Sequence, residues 1–117
     1  MSLPFLNRDA YLVKPKKKYA DWIRYVDETS KDESDESLLK ESGTIYLLEE
    51  LDSGSSDEAE AELSKYWRKI AASEFDTWWT NEDDWPRLKS IADFDEYFDS
   101  TYVEMVHDLC GTAITRE

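Results

Sequence analysis

The chain has 117 residues and a net charge of −14, from 28 acidic and 14 basic residues. A charge of this sign opposes contact with nucleic acid phosphates and anionic membranes, so we expect neither as a partner. The single cysteine, Cys110, excludes an internal disulfide, and no apolar run approaches the roughly 20 residues of a membrane span. We therefore expect residues 1–117 to form one cytoplasmic domain.

The first predicted elements are a strand and a helix. Residues 9–14 predict a short strand, because apolar and aromatic side chains occupy alternate faces along it. Pro15 ends this pattern, and residues 16–28 predict an amphipathic helix with apolar side chains at steps of three and four. Residues 1–7, which precede the strand, are expected to be disordered.

The middle of the chain predicts an acidic connection followed by a second strand. Residues 29–42 are polar and rich in serine and acids, which predicts a loop with one helical turn around Leu38 and Leu39. Residues 43–51, GTIYLLEEL, predict the second strand. Because apolar side chains lie on both of its faces, we expect it to be the central strand of its sheet.

Residues 55–79 predict the longest helix and the organising element of the fold. Ser55 followed by Glu58 has the spacing of a capping box. The apolar stripe of this helix recurs at the helical period and consists of Leu63, Trp67, Ile70, Ala71, Phe75 and Trp78.

The last third of the chain predicts a short helix and one ambiguous segment. Trp85-Pro86 breaks the preceding helix, and Ser90 has the position of an N-cap for a helix that includes Ile91 and Phe94. Residues 100–110 fit a strand or a helix, and the run Thr-Tyr-Val favours the strand. The predicted fold is α+β, in the order β-α-β-α-α-β, with helices packed on a three-stranded sheet.

Three stretches carry a resemblance to other proteins. They are TIYLLEELD at residues 44–52, WWTNEDDWP at residues 78–86 and DFDEYFDSTYVEMVHDL at residues 93–109. In this order they resemble a set of small acidic bacterial proteins of unknown function. The resemblance implies a compact mixed α and β domain, and it implies no activity, cofactor or site residue.

Catalytic and metal-binding motifs are not apparent in the sequence. His107 and Cys110 are the only histidine and cysteine, too few ligands for a closed transition-metal site. If residues 100–110 form a strand, these two side chains point to opposite faces and cannot act as a nucleophile pair, whereas in a helix their three-residue spacing would bring them close. We expect no catalytic residue, no metal and no cofactor.

The end of the long helix predicts a contact surface for a protein partner. Trp79 lies about 100° round the helix from Trp78, so we expect its ring to be partly exposed among acidic side chains. Tryptophan anchors many interfaces and stacks on arginine, which suits a basic partner. Alternatively, the tryptophans close one end of the core. The predicted contact residues are Asp76, Trp79, Glu82, Asp83, Asp84 and Trp85.

These observations favour a small acidic, non-enzymatic interaction module that binds or inhibits a basic protein. Two alternatives stay open at this point. One is a small enzyme that uses carboxylates in an aromatic-lined pocket, and the other is an accessory subunit or a homo-oligomer. The sequence does not specify the oligomeric state.

Overall fold

The computed structural model describes residues 6–40, 43–52 and 55–116. In chain order its elements are β1 (Arg8–Pro15), α1 (Lys17–Val26), α2 (Asp35–Leu39), β2 (Thr44–Glu49), α3 (Ser56–Trp78), α4 (Ile91–Tyr97) and β3 (Phe98–Val103). Single 3₁₀ turns occupy Glu28–Ser30 and Glu82–Asp84. The predicted α+β class is confirmed, and α2 is the helical turn predicted within residues 29–42. The expectation of disorder for residues 1–7 falls mainly outside the described residues.

The three strands form an antiparallel sheet in the order β2-β1-β3. The prediction that residues 43–51 form the central strand is therefore wrong, since β2 is an edge strand and β1 is central. The two faces of β2 differ in burial. Leu48 is 7% exposed and packs in the core, whereas Ile45 and Leu47 are 62% and 49% exposed on the opposite face. The apolar residues on both faces of β2 therefore do not make it a central strand. One of these two faces is exposed to solvent.

Helix α3 begins where the sequence predicts. The Ser55 hydroxyl accepts a hydrogen bond from the Glu58 backbone N–H at 3.3 Å and so caps the first turn. The predicted stripe is buried as far as Phe75, but Trp78 is 39% exposed, so its predicted place in the core is wrong. The helix ends at Trp78, and the backbone becomes extended at Trp79. Trp78 is therefore the last helical residue, and no further turn of α3 follows to cover its ring.

The centre of the core is aromatic. The Phe75 ring centroid lies 5.8 Å from that of Tyr19, 4.9 Å from that of Trp22 and 5.5 Å from that of Phe98. Aromatic pairs in such geometries contribute about 0.5–1.5 kcal/mol each beyond their burial. This cluster joins α1, α3 and β3, and it fixes the C-terminal end of α3 against α1.

Helix α4 leads directly into β3. The Ser90 hydroxyl accepts a hydrogen bond from the Asp93 backbone N–H at 3.3 Å, as the N-cap prediction requires. The strand prediction for residues 100–110 is confirmed as far as Val103. Beyond it the prediction is wrong, because pairing of β3 with β1 ends at the Ala10–Val103 pair.

Candidate functional site

The predicted contact residues lie in residues 76–85, which comprise the end of α3 and the chain that follows it and are here called the acidic segment. After α3 the backbone extends through Trp79 and then forms the 3₁₀ turn Glu82–Asp84. The Asn81 side chain accepts a hydrogen bond from the Asp83 backbone N–H at 3.1 Å and caps this turn. Local side-chain bonding thus gives the segment a defined conformation.

Both tryptophans of the predicted surface are anchored and half-buried. The Trp79 indole N–H donates to the Asp84 carboxylate at 3.0 Å, and the Trp85 indole N–H donates to the Trp79 carbonyl at 2.6 Å. The Trp85 ring centroid lies 6.3 Å from that of Phe75. These two rings close the end of the core, as the alternative interpretation proposed, and they keep one edge at the surface.

Asp84 has a structural role within the acidic segment. Besides the bond to Trp79, its backbone carbonyl accepts a hydrogen bond from the Trp22 indole N–H at 2.9 Å. Trp22 belongs to α1, so Asp84 holds the segment against that helix. Its carboxylate is therefore already engaged, unlike those of its acidic neighbours.

The other three acidic residues of the predicted surface, Asp76, Glu82 and Asp83, are exposed. None of them forms an ion pair with a described residue. Some exposed acids elsewhere do have cationic partners, such as Asp21 with Lys17 and Arg24. These three carboxylates lie within one stretch of eight residues at the end of α3, and no ion pair with the described chain compensates their charge.

The position of these acids at the end of α3 is electrostatically unfavourable. Backbone dipoles give a helix C-terminus a partial negative charge, where a cation stabilises by about 0.3–1 kcal/mol. The last turn of α3 has no basic residue, and it carries Asp76 instead. The helix terminus and the acidic segment together produce a concentrated negative potential at this end of the molecule.

A cleft adjoins the same end of α3. It has a volume of about 550 Å³ and is formed by β1, α1, α2, β2 and α3. We call it the Glu74 cleft, after the carboxylate that lines it. The principal lining residues are Tyr19, Leu38, Lys40, Thr44, Glu74 and Trp78.

Glu74 is a buried carboxylate, 7% exposed. One of its oxygens, Oε2, accepts hydrogen bonds from the Thr44 hydroxyl and the Tyr46 phenol, both at 3.0 Å. Burial raises the pKa of Glu74 above its ordinary value of 4.5, and these two hydrogen bonds partly offset the rise. Burial likewise raises the pKa of Tyr46 to about 12.

The sequence interpretation missed Glu74 because it treated this residue as one more surface acid. Its position carried a usable signal. Glu74 lies three and four residues after Ala71 and Ile70, and four before Trp78, so it continues the apolar stripe of α3. A carboxylate at a stripe position requires hydrogen-bond donors from another element, and β2 supplies them.

Comparisons of the chain with known protein families, with curated proteins and with solved structures gave no match. Among the described residues, no helix combines the length and apolar character needed to cross a membrane. In terms of class, the described residues form a small α+β domain with an acidic end and an adjoining cleft.

Proposed function

We propose that the protein is a non-enzymatic interaction module that binds a basic segment of another protein at the acidic segment. The main support is the group of three exposed, unpaired carboxylates at the negative end of α3. This arrangement lowers the stability of the fold, since cations are favoured at that position. Proteins keep residues that lower stability mainly at functional sites, so such residues indicate where function is expected.

The chemistry of the surface suits a basic polypeptide. Uncompensated carboxylates steer an oppositely charged partner and raise its association rate. Trp78, which is 39% exposed, and the exposed edges of Trp79 and Trp85 add aromatic area for contact with the stems and heads of lysine and arginine. The same negative potential opposes nucleic acid, so the partner proposed is a protein.

The enzyme alternative has less support from the geometry. Paired acid–base catalysis requires two carboxylates whose environments separate their pKa values. Glu74 has a raised pKa, but it is the only acidic side chain among the described residues that line its cleft. A single hydrogen-bonded carboxylate beside an aromatic ring suits binding better than proton transfer.

The proposal is tested by mapping where a basic probe binds. The ¹⁵N-labelled protein is titrated with a lysine-rich peptide, and a glutamate-rich peptide of equal length is the control. We expect saturable shifts in the backbone amides of residues 76–85 and in the indole N–H signals of Trp78 and Trp79. Shifts centred on the other end of α3, near Asp57, or spread over all exposed acids would contradict the proposal.

A further inference from the structure

We infer that the Glu74 cleft binds an organic cation, namely the ammonium or guanidinium group of a lysine or arginine side chain. The inference deepens the proposed function and rests on it for the source of the cation, which is the basic partner. Three features of the cleft carry it: an available carboxylate oxygen, an apolar wall that ends in an aromatic ring, and a negative charge without a cation.

The first feature is the free oxygen of Glu74. Both hydrogen bonds to its carboxylate, from Thr44 and Tyr46, go to Oε2, and no described residue donates to Oε1. No fully buried side-chain oxygen or nitrogen of the described residues lacks a hydrogen-bond partner. Oε1 must therefore reach solvent, and because Glu74 lines the cleft, that solvent is the cleft. The two hydroxyls fix the carboxylate and leave one oxygen to accept from a ligand.

The second feature is the wall of the cleft. The partly exposed side chains of Pro15 and Leu38 supply apolar surface of the kind that covers an alkyl stem. The Trp78 ring lies at the end of α3, is 39% exposed, and lines the same cleft as Glu74. An alkyl stem beside Leu38 and a cationic head near an indole and a carboxylate match the structure of a lysine or arginine side chain.

The third feature is charge. The tyrosines that face Glu74, Tyr19 and Tyr46, are neutral at physiological pH, because burial raises the pKa of each. Lys40 is the only basic residue among the described lining residues, and it forms no ion pair with Glu74. A buried carboxylate without a cation is unfavourable, so an incoming ammonium gains an interaction that the isolated protein leaves unmade.

The direct test uses n-butylammonium, which has the alkyl stem and charge of lysine, with n-butanol as its neutral control. We expect butylammonium to shift the Trp78 indole signal and to lower the pKa of Glu74, measured from its carboxyl ¹³C shift. Glu74→Gln should weaken binding at least about tenfold. Glu60→Gln, an exposed change far along α3, should leave affinity unchanged. Equal binding of butanol, or undiminished binding by Glu74→Gln, would overturn the inference.

Two further variants keep the test decisive if Glu74→Gln folds poorly. Trp78→Leu, at a partly exposed position, should fold and should weaken butylammonium binding by removing the aromatic face. Lys40→Met should keep or improve binding, because Lys40 is the only resident competitor among the described lining residues. If Lys40→Met instead raises the Glu74 pKa and the wild-type protein shows no shift with butylammonium, Lys40 already occupies the site and the inference fails.

The pH dependence of binding follows from the ionisation of Glu74. Only the carboxylate attracts a cation, so affinity should be highest above its raised pKa and should decline as pH falls through that pKa.

If the lysine-rich peptide shifts residues 76–85 but no cleft residue, the cleft inference fails and the proposed function stands. If butylammonium binds but the peptide causes no shifts, the cleft binds a free small cation. The proposed function then fails, and so does the inference that a protein partner supplies the cation.

Discussion

Three indole N–H groups near the C-terminal end of α3 have specific acceptors. Trp22 donates to the Asp84 carbonyl, Trp79 donates to the Asp84 carboxylate, and Trp85 donates to the Trp79 carbonyl. Buried or half-buried indoles require such partners, because an unpaired N–H removed from water destabilises the fold by about 1–3 kcal/mol. The rings at this end are thus held in fixed orientations and can present a defined surface without reorganisation.

The structure predicts graded effects of truncating three tryptophans. Trp67, 5% exposed, lies in the core, and Trp67→Ala should lower the free energy of unfolding by about 3–5 kcal/mol. Trp79→Ala should lower it by about 1–3 kcal/mol, because this half-buried ring also holds Asp84. Trp78→Ala should have the smallest effect, since its ring is 39% exposed. Urea denaturation measures all three. A loss for Trp78→Ala as large as for Trp67→Ala would place Trp78 in the core.

Helix α3 has opposite electrostatic character at its two ends. At its start the Ser55 cap, Asp57 and Glu58 all interact favourably with the positive end of the dipole. At its other end no basic residue occupies the last turn, and Asp76 lies beside the negative end. The favourable start stabilises the helix, and the unfavourable end concentrates the charge that we propose binds the partner.

The same reasoning predicts that one substitution should increase stability while it impairs binding. Asp76→Lys should raise the free energy of unfolding by about 0.3–1 kcal/mol, because it places a cation at the helix C-terminus. Asp57→Lys makes the same change in charge at the helix start and should lower stability by a similar amount. Urea denaturation at low ionic strength compares them. Destabilisation by Asp76→Lys would show that the carboxylate has an internal structural role.

The sequence predicts the elements better than it predicts their arrangement. The caps at Ser55 and Ser90 and the stripe of α3 depend on residues a few positions apart, so local patterns reveal them. Strand order depends on pairing between distant segments. Ala10 of β1 pairs with both Leu47 and Val103, which no local pattern indicates.

The candidate site shows the same division. The exposed acids after α3 form a contiguous run and were predicted as a surface. The Glu74 cleft was not predicted, because its carboxylate acquires its hydrogen bonds from Thr44 and Tyr46 on β2, and its wall also includes Leu38 of α2. A site assembled from five elements becomes visible only once their packing is known.

At the scale of the whole molecule, the acidic residues behind the net charge of −14 produce separate local electrostatic fields. The 23 residues of α3 span about 34 Å, at about 1.5 Å per residue. Electrostatic interactions between exposed charges decay over about 8 Å at physiological ionic strength. Acids at one end of α3 therefore contribute little to a partner bound at the other. A basic partner should distinguish the acidic segment from the equally exposed acids near the start of α3.

The affinity of a lysine-rich peptide for two charge-reversal variants tests this claim most directly. Asp76→Lys and Asp57→Lys each replace −1 by +1, so both change the net charge from −14 to −12. In fluorescence anisotropy at physiological ionic strength, Asp76→Lys should weaken binding at least about tenfold, and Asp57→Lys should change it by less than about twofold. Equal weakening by the two variants would contradict a localised site and would show that only the total charge matters.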